Sequence, residues 1–276
     1  RGSLIFAFRG SWKTTTISQL FTCFRMGHEP WKANLVLQNN DATAQNTTLA
    51  ISQVIAKNPR WRKVFPNVIP DKKKGWGALG YWITDTDINE EDWAELTSIT
   101  KDPSLLGLGI SSGSVIGKHP TGVLLMDDIH DEKNSSSDLE RAYIVKVVAE
   151  TVFPMAVRDA TRPQGDQLET WSLTVGTPWH EQDGYHYIKD TGEFGYLFSP
   201  LLFPSNEGDE GAIEFDHKEL KGWFRLAWED RIPYDGVISL YNLSGHRGFW
   251  RMYLLSLIGA SDLGLPFMSF PHEKIP

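Results

Sequence analysis

A run of five apolar residues, Leu4-Ile5-Phe6-Ala7-Phe8, enters the turn Arg9-Gly10-Ser11-Trp12 and leaves it as Lys13-Thr14-Thr15-Thr16. Ile17 to Phe24 continues in a helix-compatible pattern. Strand, tight loop and helix in that order restrict the chain to folds that hold a loop at the end of a buried strand. A helix start presents unpaired N–H groups and the positive end of a dipole, so it holds phosphate well. A lysine at that point adds charge for the outer phosphates, and the threonine after it can ligate Mg²⁺. The generic phosphate-loop pattern is G-x-x-x-x-G-K-[ST]. Ala7 and Trp12 stand where its two glycines belong, and the same residues read equally as an ordinary strand-to-helix turn.

The rest of the chain repeats the strand-and-helix alternation. A first helix over Ile17–Arg25 is expected to end near Gly27. Asn34–Gln38 reads as a short apolar strand, and Asn40–Thr43 can cap a helix from Ala44 to about Lys57. Lys57 to Lys74 carries seven cations against one acid, Asp71, with Trp61 and Trp76 interleaved. Such a stretch either tracks a phosphate backbone or is a solvated loop with two anchoring tryptophans, and the second reading is preferred. Asp85–Glu95 holds six acids and no base and reads as a surface segment.

After a glycine-rich stretch from Ser104 to Lys118, Gly122–Met126 runs apolar into Asp127-Asp128-Ile129-His130-Asp131-Glu132. A continuous apolar run ending in acids is a buried parallel strand that delivers carboxylates to its C-terminal edge, where ligands sit in open α/β sheets. Leu139–Val157 reads as a long helix, Thr170–His180 as a strand ending in a polar turn, and Tyr196–Phe203 as the last clear strand. Beyond Pro204 the pattern weakens, with helices expected around Leu220–Trp228 and Phe249–Ile258. The expected fold is α/β with a mostly parallel central sheet flanked by helices. A domain is placed at 1–205 and a small subdomain at 206–276.

Composition narrows the class. The 276 residues are 41% hydrophobic and 22% charged, enough for a sizeable core. One cysteine, Cys23, excludes an internal disulfide and a Cys-based zinc site. The net charge of -8 argues against a chain coated with nucleic acid. No apolar run reaches the length of a membrane span. The chain opens directly on a core strand, so a preceding segment is expected. His130, His180 and His186, with Glu181 and Asp183, match no helical metal-ligand spacing.

Three motifs in order resemble the ATPase domain of a tailed-phage large terminase, the motor that packages viral DNA. Phe8–Thr15 resembles that family's deviant phosphate loop. Gly117-Lys118-His119-Pro120 with Val123–His130 resembles its acidic-strand segment. Val175-Gly176-Thr177-Pro178-Trp179-His180-Glu181 resembles its coupling motif. Similarity covers roughly residues 3–203; Trp12 in place of a glycine and the missing upstream adenine-contacting segment are the departures.

The resemblance implies a P-loop NTPase of the additional-strand, catalytic-carboxylate type, with residues 206–276 as a linker or lid subdomain. It implies ATP and Mg²⁺ as ligands. Arg9, Gly10, Ser11, Trp12, Lys13, Thr14 and Thr15 would form the nucleotide loop. Thr14 and Asp127 would hold the metal, Arg9 and Lys13 would act on the phosphates, Asp128 would stand where a catalytic Glu is frequent, and Thr177 would couple hydrolysis to movement. Lys118 and Arg158 are candidates for a cation supplied to a neighbouring subunit. The implied partners are double-stranded DNA, the portal protein of the procapsid, the small terminase subunit and further copies in a ring, with a monomer in isolation. The implied location is the host cytoplasm, and a nuclease domain is expected downstream. A helicase-like ATPase and a binding module whose phosphate loop has lapsed are the competing readings.

Overall fold

The computed structural model describes residues 2–98, 100–156 and 170–257. The chain divides into two compact units, one to Ser199 and one from Pro200.

In the first unit, β1 (Gly2–Ala7) leads through the Phe8–Lys13 loop into a π-helical stretch, Thr14–Phe21, that continues as α1 (Thr22–His28). Then follow β2 (Asn34–Gln38), α2 (Asp41–Lys57), α3 (Pro59–Val64), β3 (Val68–Pro70), β4 (Gly80–Tyr81), β5 (Ile83–Asp85), α4 (Glu90–Thr97), β6 (Leu105–Gly109) and β7 (Val123–Asp127). The unit closes with α5 (Glu132–Ser136), α6 (Asp138–Val147) running through a π-helical turn into α7 (Phe153–Met155), then β8 (Trp171–Gly176), α8 (Gly184–Asp190) and β9 (Phe194–Ser199). Seven strands form one sheet in the order β4-β6-β2-β7-β8-β1-β9. Every pairing is parallel except that of the two-residue edge strand β4 with β6. The unit is therefore α/β with a mostly parallel sheet.

The apolar runs form these strands because both faces are covered. On one face Val36, Val123, Leu125, Leu173 and Val175 pack with Cys23 and Met26 of α1 and Ile51 and Ile55 of α2. Burial pushes the Cys23 thiol up to about 12, so it is an apolar filler rather than a nucleophile. The opposite face carries Leu4, Phe6, Leu124 and Met126, all buried. Asn40 caps α2 by accepting from Thr43 N at 2.9 Å.

Strand β6 lies inside the glycine-rich stretch that the sequence reading left without an element. Its glycines are a packing device. A Cβ on Gly107 would stand 2.6 Å from Thr48 Cγ2 and 2.8 Å from the Ala44 carbonyl, and one on Gly109 would stand 2.8 Å from Asp41 N. Helix α2 thus lies directly on the strand backbone, and Gly109 N donates to Asp41 Oδ1 at 2.7 Å. The acidic segment forms the exposed helix α4, capped by Asn89. Both tryptophans of the basic stretch are anchors: Trp61 is buried and donates to Val68 O, and Trp76 packs on Tyr81 at 4.4 Å.

The second unit holds an antiparallel sheet, β10 (Leu202–Pro204), β12 (Leu220–Leu226) and β11 (Ile213–His217), and the helix α9 (Tyr234–Met252). Two expectations change here. The strand expected over 196–203 is two strands of different sheets, interrupted at Pro200. The helix expected over Leu220–Trp228 is strand β12, whose Leu220 and Phe224 are buried between exposed Lys221 and Arg225. Among the described residues no helix is long and apolar enough to cross a membrane.

The contact of α2 with β6 yields a direct test. Gly107→Ala should force α2 away from the sheet and cost about 1–3 kcal/mol, lowering the melting temperature by about 2–4 °C per kcal/mol in a domain this size. Unchanged melting would show that the helix does not bear on that strand.

Candidate active site

Because the central strands run parallel, the chain exits of β1, β2, β7 and β8 all lie along one edge of the sheet. The loop after β1 is held at both ends: Phe8 N donates to Ser199 O at 3.1 Å and Thr16 N to Trp12 O at 2.9 Å. Gly10 has φ 91°, the left-handed region that glycine enters freely. Trp12 has φ 62° and is 52% exposed. It takes the backbone conformation that a glycine would take without strain, at a cost of about 1–2 kcal/mol.

Lys13 heads the helix and its Nζ donates to Thr177 Oγ1 at 3.2 Å, joining the exit of β1 to that of β8. Thr177 is nearly buried. Between these exits and that of β2 lies Asp127, the last residue of β7, with no exposed surface. Gln38 Nε2 donates to Asp127 Oδ2 at 3.2 Å, and Gln38 Oε1 accepts from Thr47 at 2.9 Å. Among the described residues Asp127 Oδ1 has no hydrogen-bond partner. The hydroxyls of Ser18 and Thr14 stand against the carboxylate, and Ser18 Oγ is itself buried without a partner.

Burial and then the Asp128 charge push Asp127 up to about 7, while Ser18, Lys13 and Thr14 pull the other way. Asp128 is raised by burial and drawn down by Lys13 and Arg9. Its backbone is left-handed, φ 46°, and its N–H donates to Val175 O at 3.0 Å. Arg9, Lys13, Thr14, Asp127, Asp128 and Thr177 are thus brought together; Gly10, Ser11 and Trp12 frame them, and Thr15 is exposed.

Ser18, Gln38 and Tyr185 belong to this neighbourhood and were not expected from sequence. Ser18 lies four residues after Thr14, one helical turn on, and Gln38 is the polar end of an apolar strand; both signals were legible. Lys118 is held elsewhere. Its Nζ pairs with Asp102 Oδ1 at 3.3 Å, and Thr121 N donates to Ala33 O ahead of β2, which sets this segment at the opposite edge of the sheet. Arg158 lies outside the described residues.

The histidines make hydrogen bonds that tie loops together. His130 Nε2 accepts from Gly184 N at 2.8 Å while its Nδ1 meets Asn134 Oδ1 at 3.1 Å, and burial lowers its pKa. Asp183 caps α8 and accepts from Trp179 N, His180 N and His186 Nδ1. Among the described residues no group of three or more His, Cys, Asp or Glu side chains is arranged to hold a metal ion. A divalent cation that keeps most of its water shell needs only one or two protein oxygens, and the unpartnered Asp127 Oδ1 beside Thr14 and Ser18 fits that requirement.

No protein-family model matches the chain, and no curated protein matches it.

The buried carboxylate sets a stability test with a definite sign. Asp127 is raised from 3.8 to about 7, so the folded state binds the proton more tightly than the unfolded chain does. Its contribution to stability is therefore lost as pH rises through that window. Asp127→Asn should melt higher than the parent at pH 8 without nucleotide or metal, and the gap should close towards pH 4. A variant that melts lower at pH 8 would show the charged form to be well compensated.

Proposed function

We propose that this chain is a P-loop ATPase whose turnover drives double-stranded DNA, as in the large terminase motors that its motifs resemble. The observation that carries the reading is the Lys13–Thr177 contact beside the buried Asp127 and the half-buried Asp128. Three segments distant in sequence contribute a cation, a coupling hydroxyl and two carboxylates to one sheet edge. The strand order supports the same reading. In the catalytic-carboxylate type an extra strand separates the phosphate-loop strand from the acidic strand; the Leu35 strand, β2, which intervenes in sequence, lies beyond β7 in the sheet, and β8 is the strand between β1 and β7.

Phosphoryl transfer is mostly positioning and charge stabilisation. On this reading the first-turn N–H groups and Lys13 bind the phosphates, and Arg9 sets a second cation over the outer one. Asp128 accepts a hydrogen bond from the attacking water, orients it and takes its proton. Thr177 answers to the state of Lys13 and passes it along the segment that leads into α8. Asp127 and Thr14 are the residues that would hold Mg²⁺, which when bound neutralises charge on the phosphate oxygens. DNA, portal protein, small subunit and ring formation enter through the resemblance, as do a host-cytoplasmic location and the lid role of the second unit.

The reading is tested by ATP hydrolysis measured with and without double-stranded DNA. Lys13→Ala should abolish turnover with little change in melting, because the side chain sits at a loop end. Asp128→Asn should keep nucleotide affinity and lose two or more orders of magnitude in kcat, the scale of a lost general base. Wild-type turnover in the Lys13 variant would overturn the assignment.

A further inference from the structure

One buried polar group beside the site has no part in the scheme so far, the hydroxyl of Tyr185. The residue is fully buried in the first turn of α8. Its ring packs edge-on against Phe6 of β1 at 5.7 Å and against His130 at 5.2 Å. The hydroxyl end is pressed against the backbone at the end of β8. A Cβ on Gly176 would lie 2.3 Å from Tyr185 Cζ and 2.4 Å from its oxygen, so Gly176 has to be glycine while this phenol stands there. Thr177 is the next residue, and Asp128 N donates to the carbonyl of Val175 on the other side. The hydroxyl therefore sits against the short stretch of β8 that links the coupling hydroxyl to the second carboxylate.

Among the described residues this hydroxyl has no hydrogen-bond partner. Leaving a buried donor unpaired costs about 1–3 kcal/mol, and a phenylalanine would fill the same space without that cost. Burial raises the phenol well above its ordinary range, and among the charges acting on it Asp128 comes first, ahead of Asp183 and Asp127. It is thus a protonated donor at any working pH, with its hydrogen unused. Gln38 already serves Asp127, whereas among the described residues no side-chain hydrogen bond reaches Asp128.

We propose that Tyr185 is a positioning residue for Asp128, donating its O–H to that carboxylate in the nucleotide-bound state and turning the other carboxylate oxygen towards the attacking water. The inference rests on the reading of Asp128 as the group that orients water. A neutral donor of this kind fixes orientation without quenching the charge that takes the proton, and it leaves nucleotide binding to the loop residues.

The test is Tyr185→Phe, which removes one oxygen and keeps the ring. Expected is a kcat at least tenfold lower, a KM for ATP within about twofold of the parent, and a melting temperature equal to or above it. In an Asp128→Asn background the same substitution should change kcat less than twofold, since Tyr185 acts only through Asp128. A Tyr185→Phe protein with parental kcat overturns the role, and so does one in which kcat, KM and melting fall together, the signature of packing. Full additivity in the double variant overturns it as well. A parent protein without ATP turnover would instead bring down the ATPase reading, and this role with it.

Discussion

Placing the Asp127 carboxylate at the end of β7 with no exposed surface sets terms that the surrounding residues have to meet. Burying an ionised carboxylate is expensive unless donors and cations surround it. The sheet order supplies them: β2 on one side carries Gln38, whose amide donates to one oxygen, and the exits of β8 and β1 bring Thr177 and Lys13 to the same edge. The compensation is incomplete, since burial leaves Asp127 near neutrality in its titration and one oxygen stays unpaired. Ser18 Oγ and the Tyr185 hydroxyl are also unpaired nearby among the described residues, as are a few groups elsewhere, Tyr81 among them. Sites that act on charged ligands commonly sacrifice stability in this way.

Backbone strain falls at the same edge. Among the described residues four non-glycine residues have positive φ, and two of them, Trp12 and Asp128, border the site. Neither conformation is left to chance. Trp12 is followed by a helical hydrogen bond from Thr16 to its carbonyl, and Asp128 is pinned through its N–H to β8. Asp tolerates the left-handed region better than most residues because its short polar side chain can bond locally. Trp has no such relief, so the loop geometry is imposed by its surroundings rather than by its sequence. This is why the pattern match fails at position 12 while the backbone there still takes the turn a glycine would take.

Strands buried on both faces were legible because their residues are apolar without interruption: β1, β2 and β7 lie where the runs 4–8, 34–38 and 122–127 put them. Strand β6 was not, because Gly107 and Gly109 serve the approach of α2 and so erase the β signal. Strand β12 was misread because Trp223 and Phe224 look like a helical apolar face until the alternation with Lys221 and Arg225 is weighed. Within the site, the loop and carboxylate residues were legible as motif fragments. Tyr185 was not, since its meaning depends on partners brought across the sheet by strand order, and strand order is not written in local pattern. The placement of Lys118 beside Asp102 at the far edge likewise follows from strand order.

The segment from Thr177 to Asp183 gives the site a mechanical side. Asp183 gathers the N–H groups of Trp179 and His180 and the ring of His186, and His130, on the exit from β7, accepts from Gly184. The exits of β7 and β8 are therefore tied to each other and to the head of α8 by buried hydrogen bonds, which break only at the cost of leaving donors unpaired. The Lys13–Thr177 bond is different in kind. It joins a cation to a neutral hydroxyl, and an anionic phosphate oxygen would compete for that cation with the added attraction of opposite charges. On the proposed reading, the contact that yields first when a nucleotide enters is the one holding Thr177, while the network behind it stays intact. A small shift at Thr177 would then move with the head of α8 as a unit and carry Tyr185 with it, so that the proposed bond from its hydroxyl to Asp128 would be made by the same event that loads the phosphates.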